Sequence, residues 1–317
     1  MSWLLSHRLR WINTVQAAFA TLGWTSKRAL PSPPQRKPTM QYRSIAVHIN
    51  NSARSMERTE LAASIAKHFD AHLIGVAATG LPTIASQYGG AEMGFYYADL
   101  QRRQREHCVE ATLRFDDLVA RAAVGSFEHR ISDDDDAYAM TCAARYVDLV
   151  VIGQDDVTDP TIGTRPNFAE EVVLHAGRPV VVVPSAGHFA AIGKDVMLAW
   201  DASAESARAA TDAMPFLKAA RIVRVMIVNG TASIDGHGEE PGADIAVFLA
   251  RHGVKVEVVR EHSDMNVANV LLSSACDFGT DLIVMGGYGH TRFREMLLGG
   301  VTRSIFEQMT VPVLMTH

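Results

Sequence analysis

From Tyr42 onward, short apolar runs alternate with longer stretches whose apolar residues recur at helical spacing. The runs "SIAVHIN" (44–50), "AHLIGVAA" (71–78), "FEHRIS" (127–132), "DLVVIGQ" (148–154) and "RPVVVVP" (178–184) read as strands. Most are rich in β-branched residues and apolar at consecutive positions, the pattern of strands covered on both faces of a parallel sheet. Between them, stretches such as Glu57–Phe69 and Gln101–Ala123 read as helices. A five-strand βαβ series implies a doubly wound α/β domain.

The series then repeats in "DVMLAWD" (195–201), "IVRVMIVNG" (222–230), "KVEVVREH" (255–262), "DLIVMGG" (281–287) and "VPVLMTH" (311–317). Asp148 and Pro179 stand 31 positions apart, as do Asp281 and Pro312. At the corresponding offset of 133, Phe168, Val172, Val173 and Ala176 fall on Val301, Ile305, Phe306 and Met309, one apolar stripe on each last helix. Near the repeat starts the offset is 151, which places Asn50 on Asp201, Ser52 on Ser203 and Ser55 on Ser206. The first copy is therefore 18 residues longer, all between its second and fourth strands. The expected organisation is a tail at 1–40 and two tandem Rossmann-like α/β domains, at 41–185 and 194–317, each doubly wound on a five-stranded parallel sheet. "RPVVVVP" and "VPVLMTH" would each lie at a sheet edge, and unpaired apolar edges invite pairing.

Composition narrows the function classes. Hydrophobic residues make up 48% and charged residues 21%, as in ordinary globular proteins. Cys108, Cys142 and Cys276 are scattered and odd in number, which disfavours a disulfide framework or a zinc site and fits a reducing compartment. No apolar run approaches the roughly 18 residues that span a membrane. Residues 1–40 hold six Lys/Arg and no acid; against a chain total of −5 this leaves −11 on the rest. An acidic body argues against nucleic acid as the main partner. The tail, which closes on "LPSPPQRKPTM", reads as disordered or as sequence upstream of a start at Met40, rather than as a targeting peptide.

The chemistry concentrates in "VMGGYGHTRFREMLLGGVTRS" (284–304), between the fourth strand and last helix of the second copy. Ligands of open α/β sheets bind beyond the carboxyl ends of strands. Glycines let backbone N–H groups approach phosphate oxygens, and a helix N-terminus attracts anions. His290, Arg292, Arg294 and Arg303 add positive charge. The loop lacks the Gly-Lys-Ser/Thr of a P-loop, and Arg292 stands where a dinucleotide fingerprint needs its third glycine. The alternative is a glycine-rich turn that caps a helix and holds no ligand.

Gly286-x2-Gly289-x9-Gly299, followed by Gly300, closely resembles the Gly-x2-Gly-x9-Gly-[Ser/Thr] signature of the universal stress protein family. "AWDAS" (199–203) resembles the end of that family's first strand, and "VPVLM" its last strand. The resemblance extends over both copies, about 42–317, as in a tandem member. It implies a stress-response protein that binds ATP, with or without Mg2+, or another adenine nucleotide in the second copy. The residues it nominates are Asp201, Val228, Gly286, Gly289, His290, Arg292, Gly299, Gly300, Val301 and Thr302. Asp201 and Val228 would border adenine and ribose, and the loop would hold phosphate. Gly300 departs from the family's Ser/Thr, with Thr302 the nearest hydroxyl. The family also pairs its last strands between subunits, which here implies pairing of the two copies within one chain, alongside a possible homodimer.

The first copy departs further. Gly153 keeps the place of Gly286, but Asp156 replaces Gly289, Pro166 and Asn167 replace Gly299 and Gly300, Asp159 replaces Arg292, and Glu170 replaces Arg303. That copy reads as phosphate-repelling. "SDDDDAYAM" (132–140) reads as a helix cap rather than a cation site. The thirteen histidines show no ligand spacing, and no triad accompanies "SAESAR" (203–208). Three readings remain: a cytoplasmic nucleotide-binding stress protein, a nucleotide-free interaction protein of the same fold, and an enzyme acting on a small anion.

Overall fold

The apolar runs become strands that hydrogen-bond side by side into one sheet. The computed structural model describes residues 41–80, 91–155, 167–230, 240–287 and 300–317, with the side chains of 91–97 left out. The first half contains β1 (Ser44–His48), α1 (Ser55–Phe69), β2 (His72–Ala78), α2 (Ala91–Arg121), β3 (Phe127–Ser132), α3 (Asp136–Ala144), β4 (Leu149–Gly153), α4 (Phe168–His175) and β5 (Val180–Val183). The second contains β6 (Asp195–Ala199), α5 (Ala204–Asp212), α6 (Met214–Ala219), β7 (Ile222–Val228), α7 (Ala243–Arg251), β8 (Val256–Glu261), α8 (Val267–Asp277), β9 (Leu282–Gly286), α9 (Gly300–Gln308) and β10 (Val313–Thr316). The repeat registers hold residue for residue: β1 maps on β6 at 151, and β4 and β5 map on β9 and β10 at 133. The extra length of the first copy lies in α2, 31 residues against 9 in α7.

The strand order is β3-β2-β1-β4-β5-β10-β9-β6-β7-β8. Pairing is parallel within each half and antiparallel at the centre, where Val313, Leu314 and Met315 face Val182, Val181 and Val180. The two expected five-stranded sheets are thus one ten-stranded sheet, joined at the seam that the edge argument anticipates, and residues from Met40 onward form a single compact unit.

Strand residues alternate between two cores, one on each face of the sheet. Leu149, Val151, Val181 and Leu314 point into the layer under α1, α2, α5, α6 and α7. Val150, Ile152, Val182, Val313 and Met315 point into the layer under α3, α4, α8 and α9. Cover on both faces explains why these strands carry no polar alternation. The outermost strands differ: β3 and β8 expose Glu128, His129 and Arg130, and Glu257, Arg260 and Glu261. Charges on edges discourage pairing with further chains. Among the described residues, no helix is long and apolar enough to cross a membrane.

The acidic run behaves as a cap, with Asp135 as the N-cap of α3 accepting from the Tyr138 N–H at 3.0 Å. Helix α2 starts ten positions before the expected Gln101. Residues 1–40, which carry the tail expectation, lie outside the described residues.

Candidate functional site

In the second half the strand order reverses between β6 and β9, so their carboxyl ends open the crevice where such sheets place ligands. Val196, Met197 and Leu198 of β6 pair with Leu282, Ile283 and Val284 of β9, which brings the strand ends carrying Asp201 and Gly286 side by side. Helix α5 starts at the same edge. Its N-cap Ser203 accepts from the Ser206 N–H at 3.1 Å. The turn into it needs a left-handed residue, and Ala202 takes that role at φ 61°.

Asp201 is exposed at this turn. Its carboxylate accepts from the Ser203 N–H at 3.0 Å and the Ser203 hydroxyl at 2.6 Å. Partial desolvation of the carboxylate against the turn pushes its pKa up, but hydrogen bonds from Ser203, Ser206 and the turn backbone together outweigh that, and the net shift is downward. Asp201 is therefore a fixed anionic acceptor at the edge of the crevice. Gly286 is set by close approach. A Cβ there would stand 2.6 Å from the Glu205 carbonyl carbon and 2.7 Å from the Ser206 nitrogen, so α5 rests directly on the end of β9. Val228 closes β7 and is partly buried against the core.

Helix α9 opens at Gly300, where an added Cβ would meet nothing within 4 Å. Val301 packs on the core and Thr302 is buried, so Thr302 does not stand exposed in place of the missing Ser/Thr. Arg303 does not stand free: its Nε donates to Glu307 at 2.8 Å. Gly289, His290, Arg292, Arg294 and Gly299 lie outside the described residues.

The first half has filled the matching places with its own side chains. Its order reverses between β1 and β4. Asn50, the counterpart of Asp201, accepts from the Ser52 hydroxyl at 2.7 Å and from Arg58 at 3.1 Å. Arg58 replaces Ala209 of the second half and is buried. Its Nε donates to the His48 carbonyl at 2.6 Å, and its Nη1 lies 2.6 Å from where a Cβ on Gly153 would stand. Burial lowers the Arg58 pKa to about 10. The Asp155 carboxylate accepts from the Ala169 N–H at 3.3 Å, so a side chain already sits at the N-terminus of α4. Burial raises the pKa of Asp155, with these backbone donors partly offsetting it. Burial and then Asp155 raise that of Glu170. The sequence reading notes the substitutions at Asp156, Asp159 and Pro166, which lie outside the described residues, but it misses Arg58 and Asp155. Both could have been found by asking which polar residues replace small or neutral ones in the aligned copies.

Residues 193–317 match the model of the Universal stress protein family. A search of curated proteins found no match to the sequence. Among solved structures, a universal stress protein from Archaeoglobus fulgidus DSM 4304 is similar over 86% of this chain and 95% of its own, with TM-score 0.63 and 16% identity. A functionally unknown protein from Pseudomonas aeruginosa PAO1 is similar over 87% of this chain and 92% of its own, with TM-score 0.52 and 16% identity. A putative universal stress protein from Pseudomonas aeruginosa UCBPP-PA14 covers 87% of this chain and 93% of its own, with TM-score 0.51 and 15% identity. At these identities the likeness speaks to the fold over both halves.

Proposed function

The chain carries a universal stress protein domain at residues 193–317, and from this we propose that its second half binds ATP or another adenine nucleotide as a stress-response protein. The observation that carries the reading is the meeting, at the β6/β9 reversal, of the strand ends that carry Asp201 and Gly286 with the start of α5. The spacing Gly286-x2-Gly289-x9-Gly299 supports it. In this reading the phosphates lie on the amides of the glycine loop and of Gly300 and Val301, and the cations of His290 and Arg292 face them. Asp201 accepts from the ribose hydroxyls, and Val228 borders the base. The first half takes no nucleotide, because Arg58 and Asp155 fill its crevice and Glu170 adds negative charge.

Calorimetry with ATP tests it. The expected result is a single nucleotide per chain. Gly289→Asp should weaken binding by roughly two orders of magnitude through bulk and repulsion together. Asp156→Ala should leave it unchanged. Two equivalent sites, or unchanged affinity in Gly289→Asp, would contradict the placement.

A nucleotide-free interaction role is favoured by one observation. Gly300 lacks the hydroxyl of the family signature, and Thr302 is buried beside it. Mass spectrometry of the purified protein separates the two readings, since only a binder carries nucleotide through purification.

A further inference from the structure

The fold brings together three side chains that no sequence spacing connects. Glu57 and Glu60 lie one turn apart on α1, and His188 lies in the connector between β5 and β6. Their ligand atoms all lie within 4.8 Å of one another, with His188 Nδ1 2.7 Å from Glu57 Oε2. We propose that Glu57, Glu60 and His188 form a binding site for a divalent transition-metal cation of the zinc class. The site is separate from the nucleotide crevice and does not depend on nucleotide binding.

The donor set selects the class. One imidazole nitrogen with two carboxylate oxygens is a three-ligand arrangement that leaves further positions for water. Imidazole suits zinc, nickel and copper, whereas magnesium and calcium favour oxygen ligands alone. Two carboxylates and a neutral imidazole also match a dication in charge. Without a cation, Glu57 and Glu60 are like charges at helical spacing, which is unfavourable. Among the described residues Glu60 has no ion-pair partner, and Glu57 pairs only with His188.

The imidazole is held in place over the helix. Gly187 turns at φ 96°, and the ring of Phe189 packs against it. Arg54, at the start of α1, donates to the Gly187 carbonyl at 2.6 Å and the Pro184 carbonyl at 3.4 Å. Its charge is directed at those two carbonyls and reduces the attraction for a cation without occupying a ligand. A bound cation would pin the connector to α1, and through it the first half to the segment that enters β6.

The test is a titration of the full chain with zinc chloride, followed by calorimetry, with cobalt absorption as the spectroscopic signature. The wild type should bind one zinc, and zinc but not magnesium should raise its melting temperature. His188→Ala and Glu60→Gln should each weaken binding by about tenfold or more. Both positions are exposed, so both variants should fold. Zinc binding that survives both substitutions would be adventitious binding at other histidines or cysteines and would overturn the site. No binding by the wild type would do the same.

Discussion

Asp201 and Asp155 use the same carboxylate for opposite ends. Asp201 collects donors from Ser203 at an open edge, and its pKa falls. Asp155 is drawn inward to the α4 N-terminus, where burial raises its pKa. The signs of their pH effects therefore differ. A carboxyl depressed in the folded state adds stability above its unfolded pKa, and that stability is lost as pH falls through the folded value. A raised one adds stability at low pH, and that stability is lost as pH rises through its folded value. Melting curves across the acid range should show the deficit of Asp201→Ala shrinking as pH falls. That of Asp155→Ala should grow as pH falls. Parallel curves at both positions would contradict these environments. Gly286 was legible from sequence, because glycine spacing reports close backbone approach. The pairing of Glu57 with His188, 131 positions apart, was not, because no periodicity links a helix to a connector.

At the scale of elements, the seam between β5 and β10 joins the two halves by main-chain bonds across Val181 and Leu314. Leu314 is fully buried and packs in the core that runs through both halves. Leu314→Ala should cost about 2–5 kcal/mol, read as a lower urea midpoint. A change under a few tenths would mean that the seam contributes little. The ten strands were legible because β-branched runs covered on both faces have a strong local signature. The repeat was legible because each half places its strands at a constant offset. The start of α2 was not, since "AEMGFYYADL" mixes small, acidic and aromatic residues without helical period. Arg58 was legible only as a charge standing where the aligned copy has Ala209, while its burial under the crevice, bonded to His48 and Asn50, comes from the fold.

At the scale of the molecule, one sheet carries two strand-order reversals, and among the described residues Arg58 and Asp155 occupy the one in the first half. The charged outer strands β3 and β8 guard the two free edges, while the central seam uses up the other two. That seam has a consequence in mass action. Two halves that meet as separate chains come apart on dilution, and their ligands can act cooperatively across the interface. Here the partner half is tethered at a fixed effective concentration, so dilution cannot release it. For the single nucleotide site per tethered pair proposed above, the expected binding curve is hyperbolic and independent of protein concentration. Calorimetric titrations at two dilutions should superimpose, and a sigmoidal or dilution-dependent curve would show that a second chain takes part.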